Sequence, residues 1–219
     1  MEEIFNRPTL DSISGVYGWF MYLPVIIGLV FWKRLNNSQK LIFYISVLTV
    51  VNHVTSGYLA RKSISNLWVF HFYIPILFYL TWKIYSRKLA SLISLKWFKA
   101  LLGISLIFFI ANSTVFQGIN SLPTYSIFTM SGVFILWSFA YFYSLLKQTQ
   151  YGSLEREPMF WFNVGVLIYY ATTVVIFLLV FNYLEPESDT MFIALIMNAF
   201  FNLILVATYT IALWVKPPK

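Results

Sequence analysis

The side chains best suited to binding or catalysis are two histidines, several asparagines and a few tyrosines within long apolar segments. His53 and His71 are the only histidines of the 219 residues, and there is no cysteine. Imidazoles bind metals and transfer protons near neutral pH. Zinc, however, requires three or four protein ligands, and no cysteine or carboxylate accompanies the pair. We therefore predict neither a metal site nor a cofactor.

Recognised catalytic patterns are also missing from the sequence. It contains no H-E-x-x-H, no G-x-S-x-G, no P-loop and no G-x-G-x-x-G. No catalytic residue is therefore predicted, and a non-enzymatic protein is favoured. An intramembrane enzyme of lipid metabolism stays open as an alternative.

Several polar side chains should lie at similar depth near one end of the helices that carry them. His53, His71 and Asn198 are each eight or nine residues from the charged residue that bounds their apolar segment. At about 1.5 Å per residue, this places them roughly 12–14 Å below the membrane boundary. They predict a ligand pocket, with additional candidates in Asn112 and Asn52, although Asn52 should point to another side of its helix. The alternative is that these groups only form hydrogen bonds between helices.

A second polar set should pack inside the bundle. Asn198 and Asn202 are one helical turn apart and share a face. Because a buried amide needs a partner, this face should point inward. Internal polar packing is therefore predicted for Asn163, Tyr169 and Asn202.

Charged residues divide the chain into long uncharged segments. The segment between Glu157 and Glu185 contains 27 residues without a charge, and about 20 apolar residues span a bilayer as a helix. The same pattern predicts an all-α polytopic membrane protein, a single domain over residues 1–219 with seven transmembrane helices. Their predicted spans are 14–32, 41–60, 67–83, 99–116, 124–146, 159–182 and 191–214.

The distribution of basic residues predicts the orientation. With the N-terminus outside and the C-terminus in the cytoplasm, twelve of the fifteen Lys and Arg residues fall in inner segments. The outer segments keep only Arg7, Arg61 and Lys62. A cytosolic basic surface is predicted at Lys83, Arg87, Lys88, Lys96 and Lys99. The segment 83–99 is either an ordinary basic loop or a short interfacial helix.

Composition supports a lipid environment. The sequence is 59% hydrophobic and only 11% charged, whereas soluble domains carry about 25% charged residues. The net charge of +7 belongs to a surface facing anionic lipid rather than to a nucleic-acid groove. The polar, acidic first residues predict no cleavable signal peptide. The lipid bilayer is thus the predicted partner, and no nucleic acid is expected.

The stretch EPMFWFNVGVLIYY, from Glu157 to Tyr170, resembles a pattern in uncharacterised bacterial seven-helix membrane proteins. In these proteins a Pro-x-Phe-Trp begins helix six and is followed by Gly and Tyr. The pair Asn198 and Asn202 and the stretch NLWVFHFYIPILFYL are similar to other parts of that pattern. The resemblance implies the membrane sensor part of a histidine-kinase system. Because this sequence carries no kinase region, signalling would require a partner.

These features lead to three functional hypotheses. The first is a receptor-like sensor or accessory subunit of the bacterial cytoplasmic (inner) membrane. It would bind a small or apolar ligand, or a partner helix, and signal through a membrane or cytosolic partner. The second is a small-molecule carrier or channel, and the third is the lipid enzyme. A homo-oligomer is compatible with each.

Overall fold

The structure, a computed structural model, describes residues 15–16, 18–147, 154–182 and 189–216. Within these ranges the chain is almost entirely helical and contains no strand. Its helices are α1 (Leu23–Val30), α2 (Asn37–Arg61), α3 (Leu67–Lys88), α4 (Leu95–Ala111), α5 (Thr124–Leu146), α6 (Pro158–Asn182) and α7 (Asp189–Trp214). The predicted all-α class is confirmed.

Six of these helices, α2 to α7, are long and apolar enough to cross a membrane. Many of their large apolar side chains are exposed, such as Ile107 at 70% and Leu136 at 68%. Exposure of so much apolar surface is unfavourable in water. The chain is therefore an integral membrane protein.

The first predicted span is interrupted. The sequence predicts one span over 14–32; residues 15–16 and 18–20 are helical, a turn follows at 21–22, and α1 covers Leu23–Val30. Pro24 lies in the first turn of α1. Proline has no N–H to donate to the carbonyl oxygen four residues earlier, and its ring clashes with that carbonyl group. The helix is therefore interrupted just before Pro24. Residues 11–14 and 17 lie outside the described part of the chain.

Helices α2, α3 and α4 extend beyond their predicted apolar cores. Helix α2 begins at Asn37 because Asn36 and Gln39 form a reciprocal capping box, with hydrogen bonds of 2.9 and 3.0 Å. Helix α3 continues to Lys88 and α4 begins at Leu95. The segment 83–99 is therefore divided between two helix ends and a turn, and it forms no interfacial helix of its own.

Most of the described Lys and Arg residues lie at one end of the bundle. We call the end that contains the segment 83–99 the basic end; Arg34 and Lys216 lie there too. There Arg34 donates a hydrogen bond to the carbonyl oxygen of Trp214. We call the opposite end, with the C-terminus of α2 and the N-terminus of α7, the cavity end.

Helices α6 and α7 form the closest pair of the bundle. They pack together along most of their length, and α1 lies against α7 and α2. At Gly165 a Cβ atom would contact the Thr208 hydroxyl and would lie 3.0 Å from Thr208 Cβ. Small residues allow such close approach between membrane helices. Gly165 therefore sets the distance between α6 and α7.

Aromatic side chains fill the core toward the basic end. Phe78 lies between Phe109 and Phe134, with ring centroids 5.3 and 5.8 Å away. Tyr85 and Phe162 are fully buried, with ring centroids 6.0 Å apart. Rings at these separations pack well and exclude water.

Candidate functional site

A cavity of about 360 Å³ lies inside the bundle. Six of the seven described helices contribute to its wall, α4 being the exception, and Leu122 from the α4–α5 connection joins them. Its polar lining residues are Ser46, Thr49, Asn52, His53, Tyr73, Tyr169, Tyr170, Thr173, Asn198, Asn202 and Tyr209. The volume falls in the range of small-molecule sites, about 300–1,000 Å³.

The rest of the wall is apolar and uncharged. Its apolar residues include Ile74, Leu77, Met130 and Phe177. None of the described lining residues is Asp, Glu, Lys or Arg. The cavity therefore suits a ligand that is largely apolar.

Two amides in the wall have buried oxygens without a hydrogen bond. They are the Oδ1 atoms of Asn52 on α2 and Asn198 on α7. An unpaired buried polar group costs about 1–3 kcal/mol. Such atoms in a native structure call for an explanation, and an ordered water or a bound ion is one of those known. Because both residues line the same cavity, these oxygens are candidate acceptors for a ligand.

Other polar groups of the wall already have neighbours. The Thr49 hydroxyl donates its one proton to the carbonyl oxygen of Ile45 at 2.9 Å. The Tyr73 hydroxyl, 3.2 Å from Thr49 Oγ1, is therefore the donor to that oxygen. The Tyr169 hydroxyl lies next to the side chains of Thr173 and Asn202. The Thr49–Tyr73 and Tyr169–Asn202 contacts fix the shape of the wall, whereas the Asn52 and Asn198 oxygens, and the buried Thr173 Oγ1 that also has no hydrogen bond, are left to interact with contents of the cavity.

His53 lies at the contact between α2 and the segment before α1. A Cβ atom at Gly18 would lie 3.3 Å from His53 Nε2. Glycine at this position lets the chain pass directly beside the imidazole. His53 therefore joins the first apolar segment to the wall of the cavity.

The predicted ligand-binding residues divide into two groups. Asn52, His53 and Asn198 line the cavity, together with Asn202 and Tyr169 from the predicted packing set. Asn52 and His53 both line the cavity although they are adjacent in sequence, so the prediction that Asn52 points away from the site is wrong. The other two predicted ligand-binding residues, His71 and Asn112, are not part of this wall.

His71 and Asn112 hold the connection between α4 and α5. His71 Nε2 donates to the carbonyl oxygen of Ser121 at 2.9 Å, and its Nδ1 lies 2.7 Å from Ser113 Oγ. Asn112 is fully buried, donates to Ser126 Oγ at 2.9 Å and begins a π-helical turn, Asn112–Phe116. Both residues thus stabilise the segment that brings Leu122 to the cavity.

Replacing His71 with Phe should therefore loosen the α4–α5 connection. The change keeps an aromatic ring but removes both hydrogen bonds, which contribute about 0.5–1.5 kcal/mol each. We expect a lower thermal midpoint and faster amide hydrogen exchange over residues 113–123 than in the wild-type protein. Exchange in that segment at the wild-type rate would contradict this role.

Asn163 lies in a separate polar cluster near the basic end. The Tyr85 hydroxyl donates to Asn163 Oδ1 and lies 3.0 Å from Ser138 Oγ. All three residues are completely buried. The cluster links α3, α5 and α6, and Asn163 faces this cluster rather than the cavity.

Removing the Tyr85 hydroxyl should destabilise the bundle without altering the cavity. Tyr85→Phe leaves Asn163 Oδ1 buried without its donor, at a cost of about 1–3 kcal/mol. Chemical or thermal unfolding in detergent would measure the loss. Tyr79→Phe, at an exposed position on the same helix, is the matched control and should leave stability unchanged.

Thr49, Ser46 and Tyr73 are part of the wall but were not predicted from the sequence. Ser46, Thr49 and His53 recur at spacings of three and four residues, which is a helical period. This polar stripe along α2 is the sequence signal that could have identified Ser46 and Thr49 as part of the cavity wall. Tyr73 could not be separated by pattern from the many other tyrosines of the chain.

The predicted cytosolic basic residues surround the α3–α4 turn. Arg87, Lys88, Lys96 and Lys99 are exposed, and Lys83 is half-buried with its amine 5.9 Å from the centre of the Tyr79 ring. Lys88 pairs with Glu157 at 3.5 Å. The remaining exposed amines and guanidinium are available to phosphate headgroups or an acidic partner.

The fold and the site together define a helical integral membrane protein with an internal cavity whose described lining includes no Asp, Glu, Lys or Arg. Within the described residues no three His, Asp or Glu side chains are grouped as a metal site would require. No protein-family model matches the chain, and neither curated proteins nor solved structures show a significant match. Its function must therefore be argued from the cavity.

Proposed function

We propose that this protein is a receptor-like membrane sensor or accessory subunit that binds a small amphipathic ligand in the cavity. The supporting observation is the pair of unbonded amide oxygens, Asn52 Oδ1 and Asn198 Oδ1, in an otherwise mainly apolar wall. Because six helices share this wall, an occupant contacts most of the bundle at once. Binding would then favour one packing of the helices over another.

The shape of the core favours a binding protein over a carrier or channel. Tyr209 lines the cavity and stacks on Phe162, with ring centroids 5.2 Å apart. Phe162 in turn packs on Tyr85. These buried rings fill the bundle between the cavity and the basic end. A carrier would need a polar path through this region in a second conformation.

The cavity wall also offers little for enzymatic chemistry. His53 is the single imidazole among the described lining residues, and none of these residues is Asp or Glu. General acid–base reactions on lipids usually need a pair of titratable groups or a metal. Ligand binding requires neither, so it fits this wall better.

We further propose seven crossings, with α1 and its preceding segment as the first, and the basic end in the cytoplasm. The concentration of exposed Lys and Arg around the α3–α4 turn supports this orientation. A cytosolic or membrane signalling partner would then bind at this surface. Because the sequence contains no cysteine, single cysteines at Ser91 and Ser65 can report the two sides. Labelling of Ser91→Cys by an impermeant reagent in intact cells would contradict the orientation.

Identification of retained molecules tests the binding role. The protein is purified in detergent, and bound small molecules are extracted and measured by mass spectrometry. Ile127→Phe adds volume to the wall without changing Asn52 or Asn198. We expect a molecule present at near-stoichiometric amounts in the wild type and depleted at least about fivefold in the variant, an affinity change of roughly 1 kcal/mol. Equal retention by both would reject the cavity as the binding site.

Uptake into proteoliposomes separates the sensor from the carrier. The molecule retained by the wild type is supplied outside vesicles that contain purified protein. A sensor binds it without accumulation in the lumen beyond that of protein-free vesicles. Protein-dependent uptake would reject the sensor hypothesis in favour of the carrier hypothesis.

A further inference from the structure

Resting on the proposed function, we infer that the ligand is an uncharged amphiphile whose hydroxyl group donates to the Asn52 or Asn198 amide oxygen. Its apolar tail would pack against the aliphatic and aromatic wall. The chemical class is therefore that of medium-chain alcohols and their glyceride or sterol-like relatives, not fatty acids or alkyl amines.

The cavity wall contains two amide oxygens that can accept a hydrogen bond and receive none from the protein. Both Asn oxygens are buried and unbonded, and carbonyl oxygens can only accept. A molecule that carries acceptors alone, such as an ether or an ester, leaves them unsatisfied. A hydroxyl group satisfies them, and one neutral hydrogen bond corresponds to an affinity difference of about three- to tenfold.

The absence of charge in the wall excludes ionic headgroups. No described lining residue is Lys or Arg, and the single imidazole there, His53, carries no permanent charge, so a carboxylate or phosphate would be buried without a permanent cation. No described lining residue is Asp or Glu, so an ammonium group would lack an anion. Burial of an unpaired charge is far more costly than burial of a hydroxyl that is hydrogen-bonded.

The volume limits the size of the ligand. A water molecule occupies about 30 Å³ in the liquid. The cavity of about 360 Å³ therefore holds about a dozen groups of that size. A ten-carbon alcohol is within this limit, and a larger lipid would place only its headgroup region inside.

A series of probes of equal chain length tests the headgroup. Apparent dissociation constants of 1-decanol, decyl methyl ether, decanoate and decylammonium are obtained from thermal-midpoint shifts of the full-length protein, corrected for partition into the detergent. We expect 1-decanol to bind three- to tenfold more tightly than the ether. We also expect decanoate and decylammonium to bind more weakly than 1-decanol.

Two variants connect the preference to the amides. Asn198→Leu and Asn52→Leu keep similar volume and remove one acceptor each, so at least one of them should abolish the preference for the alcohol over the ether. Ile107→Ala, on the exposed face of α4, should retain it and controls for general destabilisation.

Several results would overturn the inference. They are equal affinity for alcohol and ether, tighter binding of either charged probe, the same preference in both Asn variants, or no binding of any probe. The proposed function is judged separately, by whether Ile127→Phe depletes the retained molecule. An alcohol preference can therefore fail while binding in the cavity stands.

Discussion

Gly165→Ala should clearly destabilise the protein. The new methyl group would contact the Thr208 hydroxyl, lie 3.0 Å from Thr208 Cβ and 3.3 Å from Leu205 Cδ1. Because Gly165 and Thr208 are both buried, α6 and α7 must separate or Thr208 must leave its rotamer. Overpacking of this kind costs about 1–3 kcal/mol. Reversible unfolding of the purified protein in mixed micelles would measure the loss.

Two further variants give this prediction its controls. Thr208→Ala should be partly compensatory, because it removes the hydroxyl that an alanine at 165 would contact, so the double variant should lose less stability than the sum of the two single variants. Gly103→Ala introduces the same methyl group on α4, where nothing lies within 4 Å of it. That control should be neutral or stabilising, because alanine is the better helix former. Equal losses from both Gly→Ala changes would contradict the packing argument.

Gln39→Ala should produce a loss of comparable size at the basic end. The Gln39 amide donates to the carbonyl oxygens of Ala212 and Val215, each at 2.9 Å, and its oxygen accepts from the Asn36 N–H. The side chain is 1% exposed, so water cannot replace it. With about 0.5–1.5 kcal/mol for each bond, the expected cost is about 2–4 kcal/mol. The free energy of unfolding reports it directly.

Gln39→Glu separates the two roles of this residue. A carboxylate still accepts from Asn36, so the cap of α2 persists. It cannot donate to α7, and its charge is unfavourable beside the negative end of that helix. We expect a loss at least as large as that of the alanine variant. Wild-type stability in Gln39→Glu would mean that the α7 contacts contribute nothing.

The sequence was sufficient to predict the helices because charge and apolar length determine where a chain can cross lipid. The predicted span 124–146 coincides with α5, and 159–182 differs from α6 by one residue. Errors occurred where local chemistry overrides composition. Asn36 and Gln39 start α2 four residues before its apolar stretch, and Pro24 interrupts the first span.

The site was harder to predict because depth along a helix does not give the direction of a side chain. His53, His71 and Asn198 have the same estimated depth, yet His71 bonds to Ser113 and Ser121 instead of lining the cavity. Which helices are neighbours depends on contacts between distant segments, such as that between Gly165 and Thr208. No periodic pattern in a single sequence contains that information.

The close contact at Gly165 limits how α6 and α7 can move around the cavity. Toward the basic end, α6 and α7 are held together at Gly165, and α7 is fixed again by Gln39. Toward the opposite end, Thr173 and Asn198 face the cavity instead of packing tightly. Because there is no room for even a methyl group at Gly165, a bulky ligand in the cavity would have to be accommodated by residues of α6 and α7 beyond this contact and not at the contact itself.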